Sequence, residues 1–184
     1  MRLMPVLVAC SLLTVPAFAG ETAWAEVAPG VRMRLISADQ VKADGTALVA
    51  IEVDMPSDTK TYWRVPGDTG FPMELDFAGS AGITGHEVLW PFPTRDQTAD
   101  YLDYVYFGPT IMPVQLEVDG NRPSVAVSVT LGVCSDICIP AQASFALPLE
   151  VAKPDRVNGL RIRQALAEVP IAWSEDPAPS RLHP

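Results

Sequence analysis

Between residues 31 and 151 the chain never runs far before a Pro, Gly or Asp interrupts it. The stretches between these breaks are "VRMRLISA", "TALVAIEVD", "KTYWRV", "FPMELDF", "GHEVLW", "IMPVQLEV", "SVAVSVTLGV" and "ASFALPLEV". Each is short and β-branched or aromatic, and they recur at intervals of roughly ten residues, the signature of a sandwich rather than of βαβ units. No stretch of helical period separates them. The 18 prolines fit turns and strand edges, where a missing N–H costs no ladder bond. The expected fold class is all-β, an antiparallel β-sandwich. One helix is expected after it, in "PDRVNGLRIRQALAEVP". Asp155 can cap its start, Leu160, Ile162, Leu166 and Val169 form an imperfect apolar stripe, Gly159 weakens it and Pro170 ends it. The closing "SEDPAPSRLHP" reads as a flexible tail.

The first residues, "MRLMPVLVACSLLTVPAFAGE", place Arg2 before an apolar run that ends in Ala17-Phe18-Ala19. That is the pattern of a secretory leader cut after Ala19. Cys10 lies in "LVAC", a loose imitation of a lipoprotein box that comes too early in the apolar run, and it leaves with the leader. The expected organisation is a leader at 1–19, a sandwich domain at 20–152, and a helix with its tail at 153–184. No other segment has the roughly 20 apolar residues that span a bilayer, so no direct membrane span and a periplasmic, exported protein are expected. The whole chain carries a formal charge of −9, and loss of Arg2 makes it one unit more negative. An acidic domain without a basic cluster is a poor ligand for nucleic acid or anionic lipid.

Of the three cysteines, Cys134 and Cys138 then remain, in "VCSDICIPA". Val125, Val127, Val129, Leu131 and Val133 alternate onto one face, and Ile139, Ala141, Ala143, Phe145, Leu147 and Leu149 onto another. Both cysteines fall on the opposite, small and polar faces. If the two runs form a hairpin, Ser135-Asp136-Ile137 is its loop and the cysteines oppose each other with Cα atoms roughly 4.5–5.5 Å apart, within reach of a disulfide. Such a loop prefers Gly or Asn where Ile137 stands.

Three readings of this pair stand: a structural staple, a copper or zinc clip, and an exchangeable redox disulfide. A bridge closing so small a loop removes only about 2 kcal/mol of unfolded-chain entropy, and structural bridges in sandwiches join the two sheets across long gaps. Cys-x-x-x-Cys-x-Pro resembles the copper loop of the Sco-type assembly factors, and thiolates suit copper(I). Those proteins have an α/β fold and a distant histidine, whereas this chain lacks the strand–helix alternation. Its two histidines are His86, beside a strand, and His183, in the tail. The redox reading is favoured, with no metal and no cofactor expected. Tyr62 and Trp63 fit core positions and could also line the site. "PGDTG" (66–70) is a turn.

"TYWRVPGDTGFP" (61–72), "VLWPFPTR" (88–95), "MPV" (112–114) and "VCSDICIPA" together resemble the periplasmic N-terminal domain of the DsbD/ScsB family of thiol:disulfide interchange proteins. The resemblance covers about residues 30–150. It implies an immunoglobulin-like antiparallel β-sandwich whose cysteines, here Cys134 and Cys138, are catalytic. It implies electrons arriving from a CcdA/DsbD-like membrane electron transporter and passing to thioredoxin-like periplasmic proteins, in disulfide isomerisation or cytochrome c assembly. It implies a protein-disulfide reductase in which Cys138 exchanges with partners and Cys134 resolves. It further implies a cap loop of acidic and aromatic residues, placed by position in "TRDQTADYLDY" (94–104), with Asp96, Asp100, Tyr101 and Asp103 as candidates. The best-known members space their cysteines more widely, and the family's membrane and thioredoxin-like domains would be supplied by other polypeptides.

Exchange proceeds by thiolate attack through a mixed disulfide. No Lys, Arg or His is near the cysteines in sequence, and Asp136 lies between them, so the sequence offers neither thiol an activating cation. Reactivity is then expected to depend on the partner. The competing class is a binding module that keeps an incidental disulfide.

Overall fold

The computed structural model describes residues 20–120, 122–149 and 154–171. The expected leader with Cys10, and the tail with His183, lie outside the described residues. Two antiparallel sheets form. One holds β1 (Ala25–Ala28), β2 (Val31–Val41), β3 (Thr46–Asp54), β9 (Thr110–Val118) and β6 (Ile83–Val88), in that spatial order. The other runs β11 (Cys138–Pro148), β10 (Ser124–Cys134), β4 (Lys60–Gly67), β8 (Leu102–Phe107) and β7 (Thr94–Gln97), with β5 (Glu74–Asp76) paired to β10. This is the expected immunoglobulin-like sandwich.

The core lies between the sheets and follows the period-2 pattern of the sequence. Val49, Ile51, Val53, Val114 and Leu116 meet Val125, Val127, Val129, Leu131, Val133, Phe145 and Leu147 in one buried cluster. Three strands had no counterpart in the sequence reading. β1 is short and bulged between Glu26 and Ala28. β7 and β8 occupy the segment expected to be a cap loop. It is instead a hairpin, with Asp96 opposite Asp103 and Gln97 opposite Leu102.

The expected helix is α1 (Arg156–Leu166), capped by Asp155, whose carboxylate accepts the Val157 and Asn158 amides. It ends before Val169 and Pro170, where its last turn tightens into Glu168 N–H to Ala165 O and Val169 N–H to Leu166 O bonds. α1 packs on the outer face of the first sheet through Ile162, which is buried with Ile36 and Ala50. Leu160, expected on this stripe, is 62% exposed. Ala165 takes the buried place instead, because the face toward the sheet runs 158–159–162–165. Gly159 is buried on that face. A Cβ there would stand 3.8 Å from Ala38 Cβ and 3.2 Å from the mobile end of Arg163. Gly159→Ala should therefore raise stability by about 0.5–1 kcal/mol, the helix-propensity gain, as read by chemical denaturation; a loss of stability would show that α1 lies tighter on the sheet than this.

Candidate functional site

The β10–β11 hairpin has the register that the alternation predicts, with Val125 opposite Leu147, Val129 opposite Ala143 and Val133 opposite Ile139. Cys134 opposes Cys138 across Ser135-Asp136-Ile137. The two are joined in a disulfide with Cα atoms 4.1 Å apart, slightly closer than the expected range. Ile137 is 72% exposed at the tip.

The two sulfurs have unlike surroundings. Cys138 is exposed, but Cys134 is only 1% exposed. The small, polar face on which the alternation places it is covered rather than open. Tyr62 and Val105 cover it in a small cluster separate from the main core. Alternation along β4 explains this: Tyr62 turns to the disulfide, while Trp63 turns to the main core and the ring of Tyr104, 5.9 Å away. Tyr62 thus joins the site and Trp63 does not.

The Tyr62 ring fills a slot between two glycines. A Cβ on Gly70 would fall 2.1 Å from the ring, and one on Gly132 would fall 3.2 Å from it. The Tyr62 hydroxyl stands 2.9 Å from Cys134 Sγ, 3.6 Å from Cys138 Sγ and 2.9 Å from Thr69 Oγ1. Thr69 Oγ1 donates in turn to Asp103 Oδ2. Asp103 is fully buried and also accepts the amides of Asp68 and Thr69, at 2.9 and 3.1 Å. Gly67 makes that approach possible. Its φ is +98°, and a Cβ would strike Leu102 O at 2.1 Å, so the turn tolerates no side chain.

Lys60 completes the network. Its Nζ lies 2.7 Å from Asp96 and 3.0 Å from Asp103, and it stands 4.8 Å above the Tyr101 ring. Burial would lower the lysine's pKa, but the hydrogen bonds it donates to the two carboxylates outweigh this and hold the pKa above its ordinary value. Burial likewise pushes Asp103 up, and its bonds to Thr69, Lys60 and the two amides bring it below the usual carboxylate range. Burial raises the Tyr62 hydroxyl.

Lys60, Thr69, Asp96 and Tyr101 line an open cavity with both cysteines, together with Asp58, Phe107, Ser135 and Asp136. Of the cap candidates, Asp96, Tyr101 and Asp103 are therefore brought to the site. Asp100 is exposed in the β7–β8 turn and is not part of the cavity wall. Lys60 and Thr69 were missed. Thr69 lay unremarked inside "TYWRVPGDTGFP", and Lys60 immediately precedes that stretch. Its nearness to the disulfide comes from β4 pairing with β10, where Lys60 opposes Cys134. His86 is on β6 in the other sheet, against the ring of Phe77, 4.6 Å away. Among the described residues, no group of His, Cys, Asp and Glu is arranged to hold a metal ion.

A disulfide at the end of a sandwich hairpin, covered on one side by a tyrosine, is the setting in which comparison with known proteins decides. The profile of the family described as "Thiol:disulfide interchange protein DsbD, N-terminal" matches residues 32–150. The chain belongs to this family. Among solved structures it is similar to the N-terminal periplasmic domain of ScsB from Proteus mirabilis, with a TM-score of 0.68 and 24% identity. That likeness covers 85% of this chain but 62% of the other, less than two thirds of its length, and it bears on the fold. No curated protein matches in sequence. The DsbD N-terminal match takes in both cysteines and the whole Tyr62–Thr69–Asp103–Lys60 network, and it stops before α1. No helix among the described residues is long and apolar enough to cross a membrane.

Proposed function

We propose that Cys134 and Cys138 form the redox centre of a periplasmic protein-disulfide reductase. It takes electrons from a CcdA/DsbD-like membrane electron transporter and passes them to thioredoxin-like periplasmic proteins, serving disulfide isomerisation or cytochrome c maturation. The observation that carries this reading is the unequal exposure of the two sulfurs in a member of the DsbD N-terminal family. An open Cys138 can meet a partner, and a buried Cys134 can resolve the mixed disulfide from behind.

The chemistry is two-electron exchange and calls for no cofactor. A donor thiolate attacks Cys138 Sγ, the Cys134–Cys138 bond breaks, and the electron pair leaves on Cys134 Sγ. The donor's second thiol then displaces Cys138, so the donor becomes a disulfide and its two electrons and two protons reside on this pair. In the outward direction Cys138 attacks the acceptor's disulfide and Cys134 resolves the product. The site adds little activation of its own. Lys60, the one cation among the described residues that line the cavity, is held by two carboxylates, and Asp58 and Asp136 also face the cavity. No net positive charge favours a thiolate, and docking of the partner supplies the drive.

Equilibration of the protein with dithiothreitol buffers should give a potential above about −300 mV, the range below which structural disulfides lie. A value well below that range would make the bridge a staple.

A further inference from the structure

We propose that Tyr62 is a catalytic residue of this exchange, whose hydroxyl donates a hydrogen bond to Cys134 Sγ as that sulfur departs, while Thr69 and Asp103 position the donated proton. The inference rests on the exchange reading above. When the disulfide opens at Cys138, the electron pair settles on a sulfur that is 1% exposed. Water cannot solvate it there, and an unpartnered buried anion is costly. The rate of exchange depends on how well the leaving sulfur bears that charge.

The direction of the hydrogen bonds follows from counting protons. Asp103 is held ionised by Lys60, Thr69 and two amides, and a carboxylate can only accept. Thr69 has one hydroxyl hydrogen, and it goes to Asp103 Oδ2. Between Thr69 and Tyr62, the tyrosine must therefore be the donor. In the oxidised pair neither sulfur carries a hydrogen, so the Tyr62 proton has two acceptors at the same distance, Thr69 Oγ1 and Cys134 Sγ, each 2.9 Å away. When Cys134 takes up negative charge, the proton turns to the sulfur and no heavy atom has to move. Burial keeps the hydroxyl protonated, and the slot between Gly70 and Gly132 fixes the ring. Such a donor is preorganised toward the charge that develops. Lys60 stands 5.7 Å from the Tyr62 ring and is engaged with Asp96 and Asp103.

The step balances. A bond forms between the attacking sulfur and Cys138, the Cys138–Cys134 bond breaks, and its electron pair goes to Cys134. The protons lost by the attacking dithiol finish on the two cysteines. The probe is dithiothreitol, with reduction of the disulfide followed in stopped flow for wild type and Tyr62→Phe. Loss of a hydrogen bond to a charged sulfur should slow reduction about 10- to 100-fold. A second reading separates catalysis from packing. In a Cys138→Ala background, Tyr62→Phe should raise the pKa of the lone Cys134 thiol by about one unit or more, measured by thiolate absorbance. Reduction of Tyr62→Phe at the wild-type rate would overturn the role of Tyr62 and leave the exchange reading standing. Slower reduction with an unchanged Cys134 pKa would also overturn it, by assigning Tyr62 to packing. A wild-type protein that resists dithiothreitol would instead remove the exchange reading itself.

Discussion

Incubated with a disulfide-bonded thioredoxin-like partner, the reduced Cys134→Ala protein should run on a non-reducing gel as a covalent complex. The reduced Cys138→Ala protein should yield little or none. The difference is expected to be close to all-or-none because it is one of access. Cys138 is exposed, whereas Cys134 is 1% exposed and packed with Tyr62 and Val105. A thiolate attacks along the line of the bond it breaks, so the attacking sulfur must be reachable by an entire partner protein. In the Cys134→Ala protein no second thiol of this chain remains to carry the exchange forward, so the complex is undone only by reversal through the partner's freed thiol, and alkylating that thiol as it forms lets the adduct accumulate. The reverse pattern, with Cys138→Ala trapped, would make Cys134 the exchanging sulfur and would require the β4 wall to move aside.

The second large effect is on stability. Asp103→Ala should cost about 3–5 kcal/mol, the usual result of removing one partner of a buried ion pair, and lower the melting temperature by about 10 °C for a domain of this size. Four hydrogen bonds are lost together, from Lys60 Nζ, the amides of Asp68 and Thr69, and the Thr69 hydroxyl, with Lys60 keeping Asp96 and the Asp68 amide keeping Leu102 O. Asp103→Asn keeps a carbonyl oxygen and should lose less. The pH dependence has a definite sign. Because the folded state lowers the pKa of Asp103, its contribution is complete above the unfolded carboxylate value of about 3.9. It is lost as pH falls through the lower folded value. Lys60 behaves oppositely, since its folded pKa is raised. Its contribution is complete below the unfolded value of about 10.4 and is lost as pH rises through the folded one. Thermal melts from pH 2 to 7 should show a shallower acid slope for Asp103→Asn than for wild type, and equal slopes would place the acid lability elsewhere.

The parts of this molecule that could be read from the sequence are those governed by local periodicity. The β10–β11 register follows from two runs that alternate in step, and it places Cys134 against Cys138 without any knowledge of the rest. Other parts were hidden because their residues break the local pattern. β7 reads Thr-Arg-Asp-Gln and has no apolar face, since it holds its place by backbone pairing with β8. β8 carries Asp103 at an inward position, where a strand pattern calls for an apolar residue, so the segment resembled a polar loop. That inward aspartate marks the site, because a buried carboxylate needs partners from elsewhere. Its lysine is 43 residues away, and Tyr62 is 72 residues from Cys134. Nothing local announces either meeting. The expected apolar stripe of α1 failed for a related reason. Leu160 is more hydrophobic than Gly159, yet the helix turns Asn158, Gly159, Ile162 and Ala165 to the sheet and leaves Leu160 outside.

The place of β11 has a consequence for how long a partner stays. β11 is the outermost strand of its sheet and carries Cys138 at its start, followed by Pro140, with Pro148 at its end. An open edge is ordinarily a template on which another chain can continue the ladder, and such a seam of main-chain bonds holds its occupant. Two prolines interrupt the donors along this edge. On the exchange proposed for Cys138, a visiting protein would be denied a continuous zipper beside that sulfur and would be held mainly by the sulfur–sulfur bond that the exchange itself dissolves. For the carrier proposed above, loaded by one protein and emptied by another, quick parting would matter as much as recognition.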